Sequence, residues 1–296
     1  MAVTTLAKYH GLGNDFLVLV DPEGTGPYDP ATVAAVCDRH RGFGADGVLR
    51  LSRPRAGGDL RMELRNANGG EAETSGNGLR CAVLAAAHEG LVSSAALDGG
   101  PVRVETAAGT ATARLLGAGD GVVKGALGSV AVEMGMATLR PTGPAPLPGA
   151  TAWRVDVGNP HLVLLVDDLA SVDLGVVGPA LEQSVAGGTN VEAARTSADR
   201  DLVEMVVWER GVGRTEACGS GSCAVAAVAR SEGLVGDRVV VRNPGGDLVV
   251  ELAGSPERPS VTLTGPACRI GSVLVDLDQL VGLAGTRVGV GVEAPA

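Results

Sequence analysis

The chain has 296 residues, enough for one large domain or two of ordinary size. Its formal net charge of −10 excludes the basic surface on which nucleic-acid binding depends. Apolar residues make up 45% of the chain but aromatics only 2%, and 45 residues are glycine, so Val, Ala and Leu must fill the interior.

In chain order, residues 6–21 read as strand, Gly13-Asn14 turn, strand, with the run Leu17-Val18-Leu19-Val20 apolar. Residues 30–39 have helical spacing, with Val33, Val36 and Cys37 on one side. Residues 48–51 form a strand, and in 60–64 the alternation of Leu60, Met62 and Leu64 with charges predicts a half-buried one. A loop over 66–73 leads into a small-residue helix over 76–89. Residues 102–106 and 110–114 suit a hairpin, and 117–128 the crossing between two halves. In the second half, 130–134 is a strand, 140–148 a Pro-rich loop, 153–167 strand-turn-strand, 173–183 a helix and 187–192 a turn. The strand 202–208 precedes a Gly-rich charged loop and a second small-residue helix over 222–232. Strands follow at 237–242, 248–253 and 260–264, and 273–296 carry no assignable pattern.

The stretch Trp208 to Gly221, WERGVGRTEACGSG, aligns without a gap on Arg65 to Gly78, RNANGGEAETSGNG. The aligned positions 75 and 218 lie 143 residues apart. A second pair, GNDFLVLVD from Gly13 and GNPHLVLLVD from Gly158, lies 145 apart. Two matched pairs at nearly one offset predict a duplication. A pseudo-twofold axis would bring two helix N-termini, one from each half, to a single cleft. Such termini offer free N–H groups and the positive dipole end, which hold a carboxylate. Cys218 opens the second of these helices, where a thiol pKa is expected to fall. Alone it would as readily be an inert buried thiol.

The five cysteines (37, 81, 218, 223 and 268) form no disulfide framework and fit a reducing compartment. The opening MAVTTLAKYHGLGNDF lacks an apolar signal core, and no run of about 20 apolar residues marks a membrane span. A cytoplasmic protein without membrane partner is expected. No metal-ligand spacing, phosphate loop with Lys or nucleotide fingerprint is present.

The ordered set Lys8 to Phe16 (KYHGLGNDF), Asn66, Gly76-Asn77-Gly78, Gly158-Asn159-Pro160-His161, Glu209-Arg210-Gly211 and Ala217-Cys218-Gly219-Ser220-Gly221 resembles the diaminopimelate epimerase family over residues 3 to about 270. The resemblance implies an α+β fold of two pseudo-symmetric repeat domains, each a mixed or antiparallel sheet wrapped around a central helix. The boundaries expected are 1–120 with 266–296, and 121–265. It implies an epimerase without cofactor that interconverts LL- and meso-diaminopimelate for lysine and peptidoglycan. The partner would be a small amino-acid substrate, and a homodimer is left open. It also implies site residues. Cys218 would be one catalytic group and position 75 the other. Gly76, Asn77, Gly219 and Ser220 would present backbone donors to the reacting carboxylate. Asn14, Asn66, Asn159 and Asn190 would hold the substrate, Glu209 its ammonium and Arg210 its distal carboxylate. His161 and Glu209 would tune the catalytic pKa values. Read singly, the asparagines are better explained as turn residues and Glu209-Arg210 as a surface pair, and His161 is as readily a packed histidine; taken with the repeat, binding is favoured for the asparagines.

The chain departs from the family at Ser75, where a second cysteine is expected. A hydroxyl is far less acidic than a thiol and needs an adjacent base to move protons. Cys81, six residues on and about 9 Å along the helix, faces elsewhere and belongs with Cys223 in the core. Asn68-Gly69-Gly70 and Gly47 depart more mildly. Three readings follow: an epimerase that still inverts its substrate, a one-base isomerase, racemase or lyase on a related amino acid, or a binding protein without turnover.

Overall fold

The computed structural model describes residues 3–71, 75–116, 128–142, 145, 147–197 and 200–284. The first half runs β1 (Val3–Gly11), β2 (Asn14–Val20), α1 (Pro30–Cys37), β3 (Gly47–Ser52), β4 (Leu60–Asn66), α2 (Gly76–His88), α3 (Ser94–Leu97), β5 (Pro101–Thr106), β6 (Gly109–Leu116) and β7 (Gly128–Met136). The second runs β8 (Thr138–Pro141), β9 (Thr151–Asp156), β10 (Pro160–Leu165), α4 (Leu174–Gln183), β11 (Asn190–Thr196), β12 (Leu202–Glu209), β13 (Gly213–Thr215), α5 (Gly219–Ser231), β14 (Arg238–Asn243), β15 (Gly246–Ala253), β16 (Ser260–Asp276) and α6 (Leu277–Ala284).

The duplication is written in the strand pairings. From β1 to β7 successive neighbours are antiparallel, parallel, antiparallel, parallel, antiparallel and antiparallel. From β9 to β16, passing over β13, the same series recurs. Parallel neighbours need a crossover connection. The four helices α1, α2, α4 and α5 occupy the four crossovers, in matching places.

Two long stretches tie the halves together. β16 pairs with β15 and β7 over its first part and with β1 from Cys268 onward, which closes the first half into a ring around α2. β7 pairs with β6 and, past Ala137, continues as β8 to pair with β9. The strand expected over 260–264 therefore extends to Asp276. Pro266 is tolerated because it lies between the last residue paired to β15, Thr264, and the first paired to β1, Cys268. A proline lacks the N–H that a partner on that edge would need.

α2 and α5 are buried on every side over residues 76–86 and 219–229. A helix wrapped all round must be apolar all round. It must also be thin, which is why Ala, Gly, Val and Cys dominate both. Each centres its own core. Val83, Ala82 and Ala86 pack with Leu49, Val102 and Val130. Val225, Ala226 and Val228 pack with Met205, Val241 and Leu263. Within the second core sits Leu12 from the first half, at the tip of the β1–β2 hairpin. Leu12 and Gly13 adopt φ of 55° and 89°, as a two-residue hairpin turn of the primed type requires. Left-handed backbone costs a leucine about 1–2 kcal/mol. Burial of its side chain across the seam offsets that cost and seats the hairpin against the Gly245-Gly246 turn between β14 and β15.

The strand expected over 130–134 to open the second half is instead β7, the last strand of the first pairing series; the remaining differences are local. α5 begins at Gly219, so Cys218 is its N-cap. The turn expected over 187–192 ends sooner: Gly187 and Gly188 make it, and Asn190 already opens β11. Residues 273–276 finish β16 and 277–284 form α6. The crossing expected over 117–128 falls, except for Gly128, outside the described residues.

Ala226→Leu is expected to destabilise the protein by about 1–3 kcal/mol in urea unfolding, because no side of α5 has room for extra methylenes.

Candidate active site

The site forms where α2 and α5 meet head to head. Cβ atoms built on Gly76 and Gly219 would lie 3.2 and 3.0 Å from the same methyl, Cδ2 of Leu263. The Asn77 amide crosses the seam, with Nδ2 donating to Ala217 O at 3.3 Å and to Asn14 Oδ1 at 3.1 Å. The two helix caps are alike in geometry. Ser75 has φ −118° and ψ 113°, and its Oγ accepts from Gly78 N at 3.0 Å. Cys218 has φ −122° and ψ 115°, and its Sγ accepts from Gly221 N at 3.4 Å. Helix geometry leaves the N–H groups of Gly76, Asn77, Gly219 and Ser220 without intrahelical acceptors. Two dipole ends then add their positive potential at one place.

Around Cys218 the second half gathers polar groups from three strands. His161 (β10) is buried, with Nδ1 2.7 Å from Glu192 Oε1 (β11) and Nε2 3.0 Å from Asn159 Oδ1. Asn159 Nδ2 donates to Ser220 Oγ at 3.3 Å, and that oxygen lies 3.6 Å from Cys218 Sγ. Glu209 (β12) accepts from the Thr215 hydroxyl. Burial raises the Glu209 pKa, which the bonds from Thr215 and Cys218 only partly offset. Asn190 Oδ1 accepts from the Arg210 backbone N–H at 2.9 Å, and its Nδ2 donates to Pro160 O. Arg210 Nη1 donates to Gly187 O.

On the first-half side Asn14 also donates to Asp46 Oδ2 at 2.8 Å. Asn66, at the end of β4, is exposed, and no side-chain bond among the described residues joins it to the other candidates. The Ser75 hydroxyl meets no titratable side chain within hydrogen-bonding distance among the described residues; its one partner there is the Gly78 N–H.

The thiol runs against the sequence expectation. Its pKa stands well above the ordinary value rather than below it, chiefly through burial and then through the Glu209 and Glu192 carboxylates. The Ser220 hydroxyl and the Gly221 N–H pull the other way but do not prevail. A helix mouth favours thiolate only where solvent or a counter-charge completes it. Cys81 and Cys223 are buried in the helices and pushed up to about 12 by desolvation, as suits core thiols.

Sequence reasoning missed Arg80 and Glu192. Arg80 is fully buried between the helices. It donates to Pro266 O at 3.2 Å and to Asn77 Oδ1 at 2.9 Å, which holds the Asn77 bridge in place. Gly11, Gly219 and Gly265 surround its guanidinium, since built Cβ atoms there would lie 3.1, 3.7 and 3.2 Å from its nitrogens. Burial draws its pKa down to about 10, so it stays charged at neutral pH. Its signal was a lone cation in an otherwise uncharged helical run. Glu192, a single carboxylate in the apolar start of β11, was the equivalent signal in the second half.

Solved structures share this fold. A phenazine biosynthesis protein of the PhzF family from Bacillus anthracis superposes with a TM-score of 0.71 at 13% identity, covering 93% of this chain and 100% of that one. A probable proline racemase from Agrobacterium radiobacter K84 gives 0.67 at 18% identity, covering 93% of each chain. The fold class is thus one found in racemases and epimerases as well as in PhzF proteins. Sequence comparison is narrower. The family model described as diaminopimelate epimerase matches residues 6–139 and 153–270. A diaminopimelate epimerase of Synechocystis sp. is 38% identical over 281 residues, 90% of this chain and 96% of that protein. One from Rhodospirillum centenum is 39% identical over 285 residues, 89% of each. The chain belongs to the diaminopimelate epimerase family.

The raised Glu209 pKa makes a prediction about stability. Below the unfolded carboxylate value of about 4.3 both states are protonated and the residue is neutral to folding. As pH rises from there through the raised folded value, the unfolded chain loses its proton first, and the native protein loses stability. Glu209→Gln removes that loss. The variant's Tm advantage over the parent should therefore grow between acid and neutral pH in a thermal-melt series. An advantage independent of pH would contradict the assignment.

Proposed function

We propose that this protein is an isomerase that inverts the α-carbon of diaminopimelate, interconverting the LL and meso forms without a cofactor, on the route to lysine and peptidoglycan. The observation that carries the reading is the head-to-head meeting of two helix N-termini with a thiol capping one of them. The reacting carboxylate would sit on the N–H groups of Gly76, Asn77, Gly219 and Ser220. Asn14, Asn66, Asn159 and Asn190 would hold the rest of the substrate, with Arg210 on the distal carboxylate.

The substrate ammonium would lie by Glu209. That placement also bears on the raised thiol pKa, because a cation beside Glu209 offsets one of the two carboxylates that, after burial, hold Cys218 protonated. The Cys218 thiolate then takes the α-proton. The C–H electron pair moves into the carboxylate, whose developing negative charge the helix termini and the nearby Arg80 charge stabilise. A proton from water or from the Ser75 hydroxyl, which caps the helix on that side, is delivered to the opposite carbon face and completes inversion. The His161–Glu192 pair and Glu209 set the charge balance around the sulfur. The free state of all five cysteines supports a reducing compartment, the cytoplasm.

A second reading is favoured by Ser75 itself. With a hydroxyl there whose one bond among the described residues is to the Gly78 N–H, proton return on that face has no general acid among those residues. The site would then exchange the α-proton on one face and invert slowly or not at all.

Incubation with LL-diaminopimelate in D2O separates the readings. Deuterium incorporation with meso product supports epimerisation, exchange with retention supports the one-base reading, and absence of exchange contradicts both. Cys218→Ala should abolish exchange; surviving exchange would remove Cys218 from the mechanism. Ser75→Cys should raise the inversion rate about a hundredfold, the scale of one positioned acid. A fall would show that the serine hydroxyl has a part of its own.

A further inference from the structure

The polar groups beside Cys218 form one chain with a defined direction. Asn159 Nδ2 can only donate, so Ser220 Oγ accepts from it at 3.3 Å. The Ser220 hydrogen is then free to point elsewhere, and Cys218 Sγ lies 3.6 Å away. The orientation of the Asn159 amide is set one step back. Its Oδ1 faces His161 Nε2 at 3.0 Å, so Nε2 must carry a hydrogen. His161 Nδ1 shares a further proton with Glu192 Oε1 at 2.7 Å, both side chains having no solvent exposure. With the amide this way round, the serine hydrogen is available to the sulfur.

We propose that the Ser220 hydroxyl is the side-chain donor that stabilises the Cys218 thiolate, aligned by Asn159 and, through it, by the buried His161–Glu192 pair. This rests on the reading of Cys218 as the proton-transferring group and adds to it. The family resemblance assigns Ser220 only a backbone N–H and Asn159 only substrate contact. Here both side chains act on the sulfur, and Glu192 becomes a positioning residue.

The charged and titratable groups around the thiol make this donor matter. Glu209 approaches from β12, Glu192 from β11 and His161 from β10. From α2, Arg80 reaches the far side of Gly219, where a built Cβ would lie 3.7 Å from its Nη1. Glu216, two residues before the thiol, turns its carboxylate toward Gly13 instead. The two carboxylates and burial favour the thiol. Besides the helix end, the groups bonded to sulfur on the thiolate side are the Gly221 N–H and the Ser220 O–H. Substitution at Ser220 leaves the backbone donor intact and removes the other.

The test is the rate at which iodoacetamide alkylates Cys218 near neutral pH, resolved from the other four cysteines by peptide mass spectrometry. It needs no substrate, so it stands apart from the D2O experiment and either can fail alone. Loss of one hydrogen bond to a charged group should raise the thiol pKa by about one unit, which cuts thiolate tenfold. The more basic thiolate recovers part of that through nucleophilicity, so Ser220→Ala should alkylate about fourfold more slowly. Ser220→Thr keeps the hydroxyl and should restore the rate. Asn159→Leu should slow alkylation too, and should add nothing in the Ser220→Ala background because it acts through that hydroxyl. An unchanged rate in Ser220→Ala overturns the proposal. So does a Ser220→Thr variant as slow as Ser220→Ala, or an additive effect of Asn159→Leu.

Discussion

Two helix ends that should repel are held together at the centre of this molecule. Each N-terminus carries the equivalent of about half a positive charge. Between them the fold adds Arg80, a fully buried guanidinium. The junction is tolerated because Asn77 bridges it in hydrogen bonds, accepting from Arg80 and donating to Ala217 and Asn14. Glycines at 76 and 219 let the ends approach against one leucine methyl. The potential left over has an obvious complement in a carboxylate. On this view the thin Ala-rich helices, the strained Leu12 plug and the shared strand β16 all serve to keep two like poles in contact.

The symmetry of the scaffold is not matched by symmetry of chemistry. Position 218 is surrounded by the His161 imidazole, the Glu192 and Glu209 carboxylates, the Asn159 and Asn243 amides and the hydroxyls of Thr215, Ser220 and Ser222. Position 75 has the same backbone and the same cap geometry, but a hydroxyl with a single N–H partner among the described residues. Gene duplication explains the shared frame. Divergence has concentrated titratable groups on one face. On that face burial, then Glu209 and Glu192, oppose the thiolate.

Much of this was legible in the sequence because it is local. The repeat offset located both helix caps, and the pairing order of the strands repeats as the duplication required. Turn chemistry at Gly158-Asn159 and the charged Glu209-Arg210 step were visible as motifs. What stayed hidden depends on partners distant in sequence. β16 runs through a Gly-Pro pair because its neighbours change there, which no window of sequence encodes. Asn190 opens a strand rather than ending a turn because β10 and β12 flank it. The direction of the Cys218 pKa was misjudged because burial and Glu192, from another strand, outweigh the helix dipole. Arg80 and Glu192 looked like ordinary charges until their complete burial made them costly to leave without a role.

Inversion at one carbon requires positions 75 and 218 to face one another across a single cavity. A disulfide tolerates only Cα separations of about 4.4–6.8 Å, which makes it a strict ruler. Mild oxidation of the Ser75→Cys variant, followed by peptide mapping under non-reducing conditions, should join the peptides carrying positions 75 and 218 within one chain. If both thiols instead remain free to alkylate after oxidation, the two helix ends do not share a cavity and the central claim is wrong.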